Sequence, residues 1–174
     1  AGAQAPGAAG SLSAVAINTD AQGLARAYLR LGSRAGAGNN LVEASATGVA
    51  STADFSASAT AGAASLMVVD SGNNQLGVVG QPLPFPFIAI VTDANNNRLP
   101  NVPVTFEVKS GSGGLPGSSS GSTLQTVLQT ISDSDGRVSV TLTLGPDQGV
   151  NNNVVEALLP GSSAFPAAAR DDLQ

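Results

Sequence analysis

Two stretches of this chain are near copies of each other at a fixed offset. Residues 20–44 read DAQGLARAYLRLGSRAGAGNNLVEA, and residues 133–157 read DSDGRVSVTLTLGPDQGVNNNVVEA. The offset is 113 residues with no gap, and Asp20, Gly23, Leu29, Leu31, Gly32, Gly36, Asn39, Asn40, Val42, Glu43 and Ala44 all recur. A constant offset of about one domain length marks tandem modules, which commonly serve as spacers or binding arrays. Position 114 maps onto position 1. Residues 62–113 place strand-like sequence ahead of the later copy, and the earlier copy has no counterpart. The expected organisation is therefore the C-terminal half of a module at 1–61, followed by a complete module at 62–174.

Composition narrows the function classes. The chain has no Cys, His or Trp and a single Lys; 11% of its residues are charged, and its net charge is −5. Without basic clusters there is no electrostatic footprint for nucleic acid or an anionic membrane surface. No apolar run approaches the roughly 18 residues of a spanning helix, so membrane insertion is not expected. The opening AGAQAPGAAG lacks the charged start and apolar run of a signal peptide.

Local pattern points to strands. Gly, Pro, Ser, Thr and Asn interrupt every candidate helix, and period-2 alternation dominates. Val102, Val104, Phe106 and Val108 share one face; Val138, Val140, Leu142 and Leu144 share another. The earlier copy keeps the pattern, with Ala25, Ala27, Leu29 and Leu31 facing in and Arg26, Tyr28 and Arg30 facing out. One-sided alternation predicts antiparallel sheets with one dry face. Strands are expected at 12–17, 24–31, 40–46, 53–58, 66–69, 85–92, 102–108, 123–131, 137–144, 153–158 and near 164–169. DANNN at 93–97 and SDSDG at 132–136 read as turns. Pro82, Pro84 and Pro86 remove ladder donors on one side, so QPLPFPF reads as entering an edge or a strand switch, and SGSGGLPGSSSG at 110–121 reads as a flexible loop. Many short strands with frequent turns predict a β-sandwich. Phe85, Phe87 and Phe106 are expected in or near the core of the complete module, and Phe55 and Phe165 at the last strand of each copy.

Three stretches in order carry a family resemblance: SGNNQLGVVGQPLPFPFIAIVTDANNNRLPNVPVTFEV, then SDSDGRVSVTLTLGPDQGVNNNVVEA, then FPAAA. Over about residues 61–170 the chain resembles the bacterial immunoglobulin-like domain, group 1, of the invasin and intimin type. Gly80-Gln81, the turn at Asp93, the strand through Phe106, the turn ending in Gly136, Leu144-Gly145 and residues 152–157 fall in family order. The resemblance implies an all-β immunoglobulin-like β-sandwich, extracellular modules stacked as stalks, and no catalytic residues. The family's repeat spacing is shorter than in this chain, and the surplus falls in the Gly/Ser loop.

Candidate sites are few. Nucleophilic triads need a base, and the chain has neither His nor Cys. Glu43, Glu107 and Glu156 read as outward-facing strand residues rather than an acid–base pair. No enzymatic activity and no cofactor are expected. Asp133 and Asp135 are weak calcium candidates, with two hard oxygens ahead of Gly136. No Glu follows at the twelfth loop position, and the equivalent turn keeps only Asp20, so a hairpin turn is the favoured reading and no metal is expected. Arg26, Tyr28 and Arg30 read as a solvated strand face rather than a carbohydrate platform. Lys109 follows Val108, so alternation turns it outward, away from any core crosslink.

The reading is a non-catalytic stalk segment of a secreted or cell-surface repeat protein that spaces or presents an adhesive region. Alternatives are a self-assembling fibre subunit or ligand-binding module, and an accessory module of a secreted polysaccharide-degrading enzyme. The expected partners are other modules of the same protein and a second copy of this chain. The half module should leave Ala25, Ala27, Leu29, Leu31, Val42 and Ala44 with no opposing sheet. A dry face of that size invites a partner.

Overall fold

The computed structural model describes residues 15–117 and 123–161. Every regular element among them is a β-strand, and all pairing is antiparallel without a closed barrel. In chain order the strands are β1 (Gly36–Ala44), β2 (Ala53–Ala59), β3 (Leu66–Ser71), β4 (Phe87–Thr92), β5 (Pro103–Ser110), β6 (Leu115–Pro116), β7 (Leu124–Gln125), β8 (Val127–Ile131), β9 (Arg137–Val140) and β10 (Val154–Leu158). The chain divides into two units, Ala1–Gly62 and Ala63–Gln174.

The second unit is sandwich-like. One sheet has the order β3-β4-β9 and the other β10-β5-β8; β6 and β7 form a short separate pair. The alternation read from sequence sets the inner layer. Val104 and Phe106 of β5 and Val155 of β10 are buried, as are Phe87, Ala89 and Val91 of β4 and Val138 and Val140 of β9. Fully burying one such side chain stabilises the fold by about 1.5–3 kcal/mol. Val102 and Ala157, also expected inside, are half-buried. Leu83, Leu115 and Leu142 are buried where residues 82–83 and 114 meet 142–143.

Ser132 fixes the opposite end. Its buried hydroxyl donates to the Leu99 carbonyl at 2.7 Å and accepts from the Val102 N–H at 2.9 Å. A buried hydroxyl satisfied both ways avoids the desolvation cost of an orphaned polar group. Over the outer face of the first sheet, Arg137 of β9 reaches Asp70 of β3 at 3.1 Å, across the intervening strand β4.

Several expectations need correction. The Pro-rich stretch touches the sheet edge at the isolated Pro82–Thr143 bridge, but the strand expected from 85 begins only at Phe87, after the last Pro. Phe85 is 66% exposed rather than in the core; its backbone N–H and C=O are held by the Gln75 side-chain amide at 3.0 and 2.9 Å. The strand expected at 137–144 ends at Val140. Leu142 nevertheless remains buried, because its carbonyl accepts from the Leu83 N–H at 2.8 Å. The long strand expected at 123–131 is split at Thr126 into β7 and β8.

The first unit differs in kind. Its described residues form only the β1–β2 pair, in which Val42 faces Phe55 and Glu43 faces Asp54. Among its described residues only Asn40 and Ala59 are buried. No strand forms at 24–31, nor at 15–17 within the segment expected at 12–17. Ala25, Ala27, Leu29 and Leu31, expected to face inward, are exposed, as is Phe55 at 61%. The physical reason is partnership. In the second unit the equivalent residues 137–140 form β9 by pairing with β4, and the described residues of the first unit hold no counterpart of β4. The strand expected near 164–169 and the placement of Phe165 lie outside the described residues.

Candidate functional site

Three turns in the chain are built alike, and they decide how Asp133 and Asp135 are read. In each, an Asp carboxylate oxygen accepts two backbone N–H groups, two and four residues on. Asp133 Oδ1 accepts from Asp135 and Arg137 at 2.9 Å each. Asp93 Oδ1 accepts from Asn95 at 2.8 Å and Asn97 at 2.9 Å. Asp20 Oδ1 accepts from Gln22 at 3.0 Å and Leu24 at 2.9 Å. The Asp N–H in turn donates to the carbonyl four residues on, and the residue three on has positive φ: Gly136 at 72°, Asn96 at 62°, Gly23 at 75°. Gly and Asn take this left-handed conformation at the least steric cost. The aspartate therefore works as a backbone cap. The Asp135 carbonyl accepts from Arg98 Nη1 at 3.2 Å, which brings a cation to this loop. Among the described residues no group of three or more acidic, His or Cys side chains is placed to hold a metal ion.

A second feature recurs within β1 and just before β10. Asn40 Nδ2 donates to Asn39 Oδ1 at 2.7 Å, and Asn153 Nδ2 donates to Asn152 Oδ1 at 2.9 Å. Asn39 Nδ2 donates to the Arg34 carbonyl at 2.8 Å, and Asn152 Nδ2 to the Asp147 carbonyl at 3.1 Å. Arg34 and Asp147 are themselves one repeat apart, so both bonds recur at the same offset. The sequence shows the recurrence of the Asn pair; its role as an internal clamp, within β1 in the first unit and on the loop before β10 in the second, comes only from the structure. Asn153 Oδ1 is buried with no partner, enclosed beside Gly111 and Gly113.

The three glutamates do not converge. Glu107 and Glu156 lie directly opposite each other on β5 and β10. Lys109, two residues along the same face of β5, reaches both, at 3.3 Å and 3.6 Å. It bridges two carboxylates that would otherwise repel across the strands, and its side chain is 45% exposed. Glu43 is the repeat equivalent of Glu156, and among the described residues no salt bridge reaches it.

The segment carrying Arg26, Tyr28 and Arg30 is irregular, with Tyr28 98% exposed. It is not the flat strand face expected from alternation. The proposed interaction residues all lie in the first unit. Ala25, Ala27, Leu29, Leu31 and Ala44 are exposed, and Val42 of β1 is half-buried. Val15, Leu24, Val49 and Phe55 of the same unit are also exposed. Among the described residues of the chain, no helix is long and apolar enough to cross a membrane. Comparison with protein-family models, with curated proteins and with solved structures gives no match to this chain.

Proposed function

We propose that this chain is a non-catalytic spacer segment of a secreted or cell-surface protein built from tandem immunoglobulin-like modules, presenting or extending an adhesive region. The observation that carries the reading is the copied bonding. The Asp turn and the Asn clamp recur in both units at one offset, down to donor and acceptor. One module and the back half of another of the same kind in one chain suit a repeat array.

Strand order supports an immunoglobulin-like path. β3, β4 and β9 lie in one sheet and β5, β8 and β10 in the other, so the chain crosses between sheets rather than meandering. Self-association through the first unit is the second reading, favoured by Leu29 and Leu31, each 41% exposed.

Lys109 offers the test. Intact cells making the native protein are treated with a membrane-impermeant amine reagent, and the Lys109 peptide is followed by mass spectrometry. Labelling without lysis is expected; labelling only after lysis overturns the surface assignment.

A further inference from the structure

We infer that the first unit is an acceptor for a polypeptide segment of the β3–β5 type, supplied by a further copy of the repeat outside residues 1–174. The inference rests on the repeat reading above, and it names what must cover the exposed residues.

The second unit specifies the occupant. There, residues 127–131 pair with β5, residues 137–140 with β4, and residues 154–158 with β5 again. The first unit holds the equivalents of all three, 14–18, 24–27 and 41–45, together with the intact Asp20 turn and Asn39–Asn40 clamp. Its deficit is therefore one specific set of strands, β3, β4 and β5. Charge points the same way. Glu156 takes its lysine from β5, whereas its equivalent Glu43 faces Asp54, and among the described residues no salt bridge reaches it. An incoming β5-type strand would bring that lysine.

Counting halves excludes this chain itself as the donor. Residues 1–174 of each copy carry two back halves and one front half. However strands are exchanged between copies, one back half per copy is left open. A swap between chains only moves the deficit, so the donor is a front half that these 174 residues do not contain.

The test uses residues 1–174, with and without residues 63–113 fused ahead of residue 1. The join reproduces the 113–114 junction of the second unit. In the unfused chain, amide hydrogens of 24–31 should exchange at unprotected rates. In the fusion, 24–27 and 41–45 should slow to the level of 137–140 and 154–158, a change of orders of magnitude. Phe106→Ala placed in the added segment alone should abolish that gain. The acceptor proposal is overturned if 24–27 stay unprotected in the fusion while 137–140 remain protected. It is also overturned if the unfused chain protects 24–27, either as a monomer or as a dimer of first units by light scattering. A separate chimera, with 1–45 replacing 114–158 inside the second unit, reads the repeat itself. If that chimera folds while the fusion shows no gain, only the acceptor inference fails. If the chimera does not fold, the equivalence of the halves fails with it.

Discussion

Residues 24–31 and 137–144 are one motif in two settings. Both follow an Asp-capped turn with Gly in the left-handed region, both alternate apolar and polar, and both carry Leu at the same two places. In the second unit Arg137–Val140 is a strand, Val138 and Val140 are buried against the facing sheet, and Leu142 is sealed at the end of the core. In the first unit the turn forms identically and the strand does not. The turn is a local structure, closed by one carboxylate and a few backbone groups within five residues. The strand is not local, because its hydrogen bonds belong to β4 and its side chains need an opposing layer. Ordering a residue's backbone costs about 1–2 kcal/mol, and alternation alone returns none of that without a partner.

The largest test of this contrast compares two phenylalanines. Phe106 is fully buried on β5, so Phe106→Ala should cost about 3–5 kcal/mol, the range for large-to-small core changes. Phe55 on β2 is 61% exposed, and Phe55→Ala should stay within about 0.5 kcal/mol, as surface substitutions do. Denaturant titration followed by circular dichroism gives both numbers. A loss of less than about 1 kcal/mol at Phe106, below the core range, would break the assignment of the β5 face.

Next in size is the pair of turn glycines. Gly23 and Gly136 have nearly the same φ, so Ala at either meets the left-handed penalty of about 1–2 kcal/mol. Only Gly136 is also crowded: a Cβ there would sit 2.9 Å from the Leu99 nitrogen and 3.0 Å from the Val91 oxygen. At Gly23 nothing lies within 4 Å. Gly136→Ala should therefore lower the melting midpoint of the second unit by more than strain alone explains, whereas Gly23→Ala should leave that midpoint in place. Equal effects would mean that the turn of the second unit is not packed against β4.

Smaller still is the effect of Lys109. An exposed bridge between two carboxylates is worth about 0–1 kcal/mol. Lys109→Met should cost no more than that at low ionic strength, and the difference should shrink in molar salt, where screening acts within about 3 Å. Glu43→Gln in the first unit removes a like charge opposite Asp54 and should produce no loss. A salt-independent cost at Lys109 would assign its contribution to the packing of its aliphatic stem.

What could be read from sequence follows the same local–nonlocal divide. The turns at Asp20, Asp93 and Asp133 were legible because their chemistry lies within five residues. The inner faces of β5 and β9 were legible because alternation is strong and the partners exist. The segment 24–31 carried the same alternation and misled, because period-2 pattern reports what a residue could bury and not whether anything is there to cover it. Phe85 misled for a related reason. Its apolar side chain sits between Pro84 and Pro86, whose missing N–H groups keep the segment out of the ladder, and a Gln75 side chain takes the place of a strand partner. The Asn clamp was visible only as a recurrence, since nothing in an Asn-Asn dipeptide tells which carbonyl each amide will find.

The smallest expected effect is that of calcium on the two equivalent turns. At the second-unit turn the carboxylates of Asp133 and Asp135 are two residues apart, and at the first-unit turn Gln22 stands in the place of Asp135. Both turns nevertheless make the same four bonds, so the Asp135 carboxylate is dispensable for closing the loop. Asp133 already uses Oδ1 on two backbone N–H groups, and the nearby Arg98 guanidinium supplies positive charge where a cation would have to enter. Calcium takes six to eight oxygens, far more than this turn presents. Thermal midpoints of the intact chain in EDTA and in millimolar calcium should therefore coincide, and Asp135→Asn should shift stability by less than about 0.5 kcal/mol. A calcium-dependent rise in the midpoint that Asp135→Asn removes would separate the two turns after all. It would make the second-unit loop a cation-stiffened joint, and the first-unit loop a plain one.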